Sequence, residues 1–267
     1  MITKNAVPRP ELKSGPILFE HLSLTKNPLL QVFCFPFAGG TADVYRSWQQ
    51  WFGDQLDICL VHLPGRGRNM RERPYTRVAP LVMAAADCID RQSKTPYVLY
   101  GHSMGALISF ELSRELFRRH GKGPEHLFVS GRRAPQYIKE EPTTFDLPRD
   151  EFISELKRLN GTPPEVFEDP ELIELFINVL RADFETVETY EYCLGEPLPC
   201  PITVYGGLED QHVPVESCHA WQKQTSAKCV VRMFKGDHFF IRHPRPDFIN
   251  AFRSDVLNII LHSRTGK

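Results

Sequence analysis

Short apolar runs alternate with longer amphipathic segments along most of this 267-residue chain, and this alternation limits the fold more than any other feature. Apolar runs of this kind, rich in β-branched and aromatic residues, are typical of strands buried on both faces. Six of them are predicted as strands, at residues 29–35, 57–63, 97–100, 126–131, 202–206 and 230–234. Helices are predicted at residues 45–54, 77–92, 104–119, 214–224 and 246–262. This order predicts an α/β fold with a mostly parallel central sheet and helices on both faces.

The last predicted helix shows the clearest helical periodicity. Phe248, Phe252, Val256 and Ile260 recur every fourth residue, which places them on one face of the helix. We expect this face to pack against the sheet.

The alternation stops between Ala134 and about Leu198, where no strand is predicted. Helical patterns at 148–159 and 170–182 occupy this segment instead. We expect one domain over residues 1–267, with a helical lid inserted at about 134–198. Nine apolar residues of the insertion could line a pocket, although we expect most of them only to dock its helices: Phe145, Phe152, Leu156, Leu159, Phe167, Leu172, Phe176, Leu180 and Phe184.

Composition narrows the classes of function. The net charge is −1, so nothing global points to nucleic acid or to an anionic membrane. A polar leader of about 28 residues begins with three prolines in its first 16 residues, which predicts neither a signal peptide nor an anchor. Seven scattered cysteines, without a C-x-x-C or a metal-ligand spacing, predict reduced thiols in a cytoplasmic protein and no metal site. The sequence shows no heptad pattern that would predict a partner helix, so we expect a monomer.

The stretch Y-G-H-S-M-G-A-L places Ser103 between Gly101 and Gly105, after a predicted strand and before a predicted helix. A serine on such a sharp turn exposes its hydroxyl at the carboxyl end of the sheet, and side chains at the two flanking positions would collide with neighbouring backbone. The motif therefore predicts a nucleophilic serine.

A serine hydroxyl needs a base and an orienting carboxylate to become a nucleophile. In α/β-hydrolases these groups follow the serine in the order acid, then histidine. Asp210 follows the fifth predicted strand and His238 follows the sixth, so both loops open on the same edge of the sheet as Ser103. The sequence predicts Ser103, Asp210 and His238 as a catalytic triad.

Several neighbours compete for these roles. Glu209 would replace Asp210 if the loop were shifted by one residue. His212 is expected to be a surface or loop histidine, and His243 a cap or polar contact. The side chain of His102 should diverge from that of Ser103. Asp237 is expected only to shape the loop of His238.

Two backbone amides must stabilise the oxyanion that forms during acyl transfer. One is expected from Met104, the residue after the nucleophile. The other is expected from Ala38, which precedes Gly39 and Gly40 in the loop after the first predicted strand.

Taken together, these motifs resemble the stand-alone type II thioesterases that accompany polyketide and nonribosomal peptide synthetases. The resemblance runs in order over about residues 30–255, and its motifs are FCFPFAGG, LPGRGRNMRERP, GHSMGALISFEL, YEYCLGEPLPCPITVYGGLED and GDHFFI. Cys193 in YEYCLGEP departs from the polar residue expected there, without consequence for the catalytic groups.

The resemblance implies an α/β-hydrolase fold and a serine hydrolase that removes misprimed or stalled acyl groups. Its substrates would be acyl thioesters on the phosphopantetheine arm of acyl or peptidyl carrier proteins. It implies the same roles for Ser103, Asp210 and His238, with Ala38 and Met104 in the oxyanion hole. No metal or redox cofactor is implied, because the phosphopantetheine belongs to the substrate.

Other functions of the same fold stay open at this stage. A medium-chain fatty acyl thioesterase and a general carboxylesterase would use the same triad. A non-catalytic binding protein would usually lack one of the three catalytic groups, and all three are present here.

Arginines crowd two loops expected at the active-site edge: Arg66, Arg68, Arg71, Arg73, Arg132 and Arg133. Carrier proteins are generally acidic, so these arginines could recognise the carrier or its phosphate. An ordinary solvated basic loop explains them equally well.

Overall fold

A computed structural model describes residues 15–23, 25, 27–93, 95–137 and 142–265. Its centre is a seven-stranded sheet in the order β1-β3-β2-β4-β5-β6-β7. The strands are β1 (Leu18–His21), β2 (Leu30–Phe35), β3 (Leu56–His62), β4 (Tyr97–His102), β5 (Leu127–Ser130), β6 (Ile202–Gly207) and β7 (Cys229–Phe234). The mostly parallel α/β sheet predicted from the sequence is confirmed, and all six predicted strands are present.

Strand β1 was not predicted and lies inside the segment expected to be a polar leader. It pairs antiparallel with β3, for example Leu18 opposite His62. An edge strand needs no continuous apolar run, because only part of its surface is covered. Residues 1–14, 24 and 26 of the predicted leader lie outside the described residues.

Seven α-helices surround the sheet in the part of the chain that the structure describes. They are α1 (Val78–Gln92), α2 (Met104–His120), α3 (Arg149–Leu159), α4 (Pro164–Glu168), α5 (Pro170–Glu188), α6 (Val215–His219) and α7 (Pro246–Thr265). The predicted helix at 45–54 is a 3-10 helix, Ala42–Trp51, and the one at 214–224 divides into α6 and a 3-10 segment, Ala220–Gln224. None of the described helices has the length and apolarity to cross a bilayer.

Each face of the sheet carries its own hydrophobic core. Helices α1 and α2 cover one face, where Leu107 and Ile108 are almost fully buried. Helix α7 and the 3-10 helix Ala42–Trp51 cover the other, with Trp48 packed between the rings of Tyr100 and Phe252. All four residues of the predicted α7 face are buried.

Helices α3, α4 and α5 lie between β5 and β6 in the chain, within the segment predicted as a lid. Helix α5 begins where the Asp169 side chain accepts hydrogen bonds from the amides of Glu171 and Leu172, with Pro170 as its first residue. Small clusters around Phe152 and Ile173 hold the three helices together. Residues 138–141 of the insertion lie outside the described residues.

Candidate active site

Ser103 lies in the sharp turn between β4 and α2, with φ +54° and ψ −111°. A Cβ atom at Gly101 would lie 2.0 Å from the Gly105 carbonyl oxygen, and one at Gly105 would lie 2.1 Å from the Phe35 carbonyl oxygen. The amide of Ser103 donates to the carbonyl of Ser130 at 2.8 Å, which anchors the turn to β5. The two glycines are therefore required by close backbone approach, and the turn holds an L-residue in a conformation that such residues rarely adopt.

Asp210 and His238 meet at the same edge of the sheet. Asp210 follows β6 and His238 follows β7, and the His238 Nδ1 lies 2.7 Å from the Asp210 Oδ2. The other carboxylate oxygen of Asp210 accepts from the amide of His212 at 2.9 Å. The Asp210 side chain is fully buried, while that of His238 is 18% exposed.

The protonation of this pair follows from its surroundings. Burial raises the pKa of the Asp210 carboxyl, but the hydrogen bond and charge of His238 and the amide of His212 outweigh burial, so the net pKa lies below the ordinary value. An ionised carboxylate can only accept a hydrogen bond, so Nδ1 of His238 donates to it. The Nε2 atom of His238 is then left as an acceptor for a proton.

The competing residues have other positions. Glu209 is exposed beside the buried Asp210. His102 is fully buried, pairs through Nδ1 with Ser130 Oγ at 2.9 Å, and has a pKa that burial holds well below the ordinary value. Asp237 accepts from the amide of Phe239 and so shapes the loop of His238, as predicted. His243 is exposed.

His212 lies closer to the site than the sequence indicated. Its ring centroid is 6.4 Å from that of His238, and both side chains line the same cavity. His212 is a loop histidine, as expected, but it also lines the site. The signal was present in the spacing, because a residue two positions after a buried turn aspartate can donate its amide to that carboxylate.

A cavity of about 210 Å³ opens beside Ser103 and His238. The insertion contributes an apolar portion of its wall, formed by Leu156, Leu159, Leu180, Phe184 and Val187. Polar lining comes from Arg132, Arg133, Thr162, Glu188 and His212. Four of the nine apolar residues singled out in the insertion therefore line the cavity.

Of the two residues predicted for the oxyanion hole, Ala38 lies on the cavity wall and Met104 directly follows the nucleophile in the chain. Ala38 lines the cavity together with Ser103. Met104 is the first residue of α2, where a backbone N–H has no acceptor within its own helix. The amide of Gly39, the residue after Ala38 in the loop after β2, does not face the cavity as a free donor, because it donates to Asp183 Oδ2 on α5 at 2.7 Å.

Asp183 was not identified as a functional residue from the sequence. The sequence offered one indication of its role: Asp183 is a charged residue three positions after Leu180, on the helix face that is otherwise apolar. Both of its oxygens accept from the guanidinium of Arg66, at 2.5 and 2.7 Å.

The arginines of the loop after β3 have different environments. Arg66 is buried in its pair with Asp183, so neither of the two explanations left open by the sequence, carrier recognition or a solvated loop, applies to it. Arg68, Arg71 and Arg73 are exposed, and Arg68 pairs with Glu20 at 2.9 Å. Only the exposed members of this loop offer charge to a partner.

A cluster of metal-ligand type lies at the opposite end of β3 and consists of His21, Asp57 and Cys59. Asp57 already accepts from His21 Nδ1 at 2.6 Å, from Gln31, and from the amides of Leu22 and Ser23. Burial also raises the pKa of the Cys59 thiol well above its usual range, which disfavours the thiolate that metals bind. These interactions explain the cluster without an ion.

A mostly parallel sheet with a serine at a strand–turn–helix elbow, and with an aspartate and a histidine after later strands, defines the α/β-hydrolase fold. The class predicted from the sequence is confirmed. Within it, the chain belongs to the thioesterase family, because the thioesterase domain of that family matches residues 30–255.

Known proteins of similar sequence and structure agree with this assignment. The gramicidin S biosynthesis protein GrsT of Aneurinibacillus migulanus is 39% identical, over 91% of this chain and 94% of its own length. The RedJ thioesterase of prodiginine biosynthesis in Streptomyces coelicolor is 34% identical, with a TM-score of 0.78 over 85% of this chain and 90% of RedJ. The type II thioesterase BorB of the borrelidin cluster is 30% identical, with a TM-score of 0.80 over 91% of this chain and 97% of BorB. The resemblance to type II thioesterases is confirmed, and the protein is a thioester hydrolase.

Proposed function

We propose that this thioesterase hydrolyses short acyl thioesters from the phosphopantetheine arm of acyl or peptidyl carrier proteins, and thereby clears misprimed or stalled synthetases. The observation that carries this proposal is the cavity beside Ser103. Its volume of about 210 Å³ is smaller than the roughly 300–1,000 Å³ of common small-molecule pockets. Such a cavity suits a short acyl group better than a completed peptide or polyketide chain.

In the proposed mechanism, the Ser103 hydroxyl attacks the thioester carbonyl while Nε2 of His238 accepts its proton. The ionised Asp210 stabilises the resulting imidazolium through Nδ1. The amides of Ala38 and Met104 donate to the oxyanion. The thiol of the pantetheine arm then leaves with the proton from His238, and a water molecule activated by the same histidine hydrolyses the acyl-enzyme.

Carrier recognition is proposed for the exposed arginines of the loop after β3. Arg71 and Arg73 are exposed on this loop, which approaches the insertion where Gly65 lies near Val179 of α5. An acidic carrier would be attracted by these charges mainly in its rate of association.

We also propose that the protein acts as a cytoplasmic monomer. All seven cysteines are free thiols, in agreement with a reducing compartment. Sedimentation and localisation measurements test these two points.

The decisive experiment compares acetyl, hexanoyl and decanoyl groups on a phosphopantetheinylated carrier protein with the matched p-nitrophenyl esters. We expect higher kcat/KM on the carrier thioesters, with the shorter chains preferred. Ser103→Ala should abolish both activities, while Ser109→Ala, at a buried serine of α2 outside the wall of the cavity beside Ser103, should retain them. Arg71→Glu should reduce hydrolysis from the carrier more than hydrolysis of the small esters.

Two outcomes would contradict the proposal. Fast ester turnover without carrier preference would indicate a general carboxylesterase. A preference for decanoyl over the shorter groups would instead favour a medium-chain fatty acyl thioesterase.

A further inference from the structure

A buried ion pair connects the insertion to the loop of the proposed oxyanion hole. Asp183 of α5 and Arg66 of the loop after β3 are 4% and 7% exposed at their side chains. The carboxylate accepts three hydrogen bonds, two from Arg66 and one from the backbone amide of Gly39. One side chain therefore joins the helical insertion, the loop after β3 and the loop after β2.

Gly39 is held from a second direction by the same helix. Its φ is +73°, and a Cβ atom built there would lie 2.4 Å from Leu180 Cδ2. Leu180 and Asp183 are three residues apart and thus on one face of α5. The face of α5 that lines the cavity is also the face against which the loop rests.

The Asp183–Gly39 hydrogen bond fixes a peptide plane next to the proposed donor. The Gly39 N–H belongs to the Ala38–Gly39 peptide unit, so only the two backbone torsions of Ala38 separate this plane from the Ala38 N–H. Without Asp183 the half-buried Gly39 amide would lose its acceptor, and an N–H left without an acceptor raises the free energy of that loop conformation. A glycine loop can turn to recover that energy, because glycine adopts alternative backbone conformations readily.

We propose that Asp183 is a positioning residue for transition-state stabilisation: it holds the Ala38–Gly39 peptide unit so that the Ala38 N–H points to the oxyanion. The oxyanion hole is then complete only when α5 is seated on the body of the enzyme. Arg66 acts through Asp183, by neutralising and orienting its carboxylate. This inference rests on the proposed serine mechanism but not on the identity of the acyl carrier.

The test uses Asp183→Ala in the full chain with a free hexanoyl-pantetheine thioester. Loss of one oxyanion donor costs about 10²–10³ in kcat in related acyl transfer. Since Asp183 acts through the loop, we expect a loss of about 10- to 100-fold in kcat, with KM changed less than about threefold. Affinity for hexylboronic acid, which forms a tetrahedral anionic adduct with serine, should fall by a similar factor. Binding of a hexyl pantetheine thioether, which forms no oxyanion, should be unchanged.

Glu185→Ala is the matched control. Glu185 lies two residues further along α5 and pairs with Arg77 of the body, so its loss also removes an ion pair between the insertion and the body. It does not touch the oxyanion loop, and its boronate affinity should equal that of the wild type. Asp183→Asn keeps an oxygen for the Gly39 N–H and should recover most of the boronate affinity.

A second variant separates positioning from stability. Replacing both members of a buried ion pair by apolar residues is often neutral for stability, whereas removing one is costly. Arg66→Met combined with Asp183→Leu should therefore unfold at nearly the wild-type temperature but still bind the boronate weakly. This double variant also serves as the test if Asp183→Ala fails to fold.

Wild-type boronate affinity in Asp183→Ala or in the double variant would overturn the proposal. Equal losses of boronate and thioether binding would overturn it as well, because they would indicate a general disturbance of the cavity. A lack of carrier preference in the wild type would defeat the proposed function and leave this inference intact, since the boronate measurement needs no carrier.

Discussion

The carboxyl edge of the sheet and the helical insertion both line the cavity, yet different interactions hold them in place. At the sheet edge the positions are set by backbone: the amide of Ser103 is bonded to β5, and the flanking glycines leave no space for another side chain. His238 and Asp210 then follow adjacent strands whose register is fixed by their pairing. This region has little freedom to vary without loss of the fold.

The insertion is held mainly by side chains. Its helices pack together in two small apolar clusters. Asp183 and Glu185 form ion pairs with Arg66 and Arg77 of the rest of the chain. Glu188, at the end of α5, accepts hydrogen bonds from the amides of Thr144 and Phe145 within the insertion. The reacting groups therefore belong to the rigid sheet edge, whereas the size of the cavity depends on side chains that can change without disturbing the sheet.

The largest effect is expected at the sheet edge, from Asp210→Asn. A neutral amide cannot stabilise the imidazolium of His238, so kcat should fall by about 10³–10⁴ with little change in KM. The measurement is steady-state hydrolysis of a small thioester. Glu209→Gln, at the exposed neighbouring position, should keep wild-type kcat. An equal loss in Glu209→Gln would mean that the acid has been assigned to the wrong residue.

The same contrast explains what could be predicted from the sequence. Strands buried on both faces are continuous apolar runs, and chain order places the turns after β6 and β7 at the edge that holds Ser103, so Asp210 and His238 could be named before their 2.7 Å contact was seen. Strand β1 was missed because its four residues are only partly covered at the sheet edge. Periodicity can find such edge strands only poorly.

The contacts of the insertion were beyond sequence reasoning. Asp183 meets Gly39 across 144 residues and Arg66 across 117, and no local pattern tells which face of α5 rests on which loop. Arg66 also looked like Arg68 and Arg71 in the same loop, although only Arg66 is buried. Packing between distant segments decided these roles.

The second-largest effect is expected from Phe184→Ala in the insertion, which should change the preferred length of the acyl chain. Phe184 lines the cavity, and its loss lengthens the space available to an acyl chain. Each additional buried methylene contributes about 0.8 kcal/mol, so two of them should raise the decanoyl-to-hexanoyl ratio of kcat/KM about tenfold. The ratio is measured by competition between the two acyl-pantetheine thioesters.

Phe176→Ala is the matched control for this change. Phe176 lies on the same helix and packs in the two small clusters but does not line the cavity. The substitution Phe176→Ala should lower thermal stability without altering the decanoyl-to-hexanoyl ratio of kcat/KM. A tenfold shift in Phe176→Ala would mean that looser packing of the insertion, and not the size of the cavity wall, controls substrate choice.

The smallest effect concerns stability at acid pH and should arise from a buried histidine of the sheet body. Residues 134–198 contain no histidine, whereas burial lowers the pKa of His126, which stacks on Phe128 of β5, to about 4. Between about pH 6.5 and 4 the unfolded chain therefore binds a proton that folded His126 does not. The free energy of unfolding should fall with decreasing pH by up to about 1.4 kcal/mol per pH unit from this residue.

The prediction is tested by urea unfolding at pH 7, 6 and 5 of the wild type and of His126→Gln, which keeps a side chain able to bond Thr203. Two other histidines also contribute to the pH dependence of stability: the pKa of buried His102 is lowered, and the pKa of His21 is raised by Asp57, which gives an effect of opposite sign. Both contributions are the same in the two proteins. The difference between the two proteins thus isolates His126. Identical pH dependence in His126→Gln and the wild type would show that His126 is solvated, and that the sheet body is no more acid-sensitive there than the insertion.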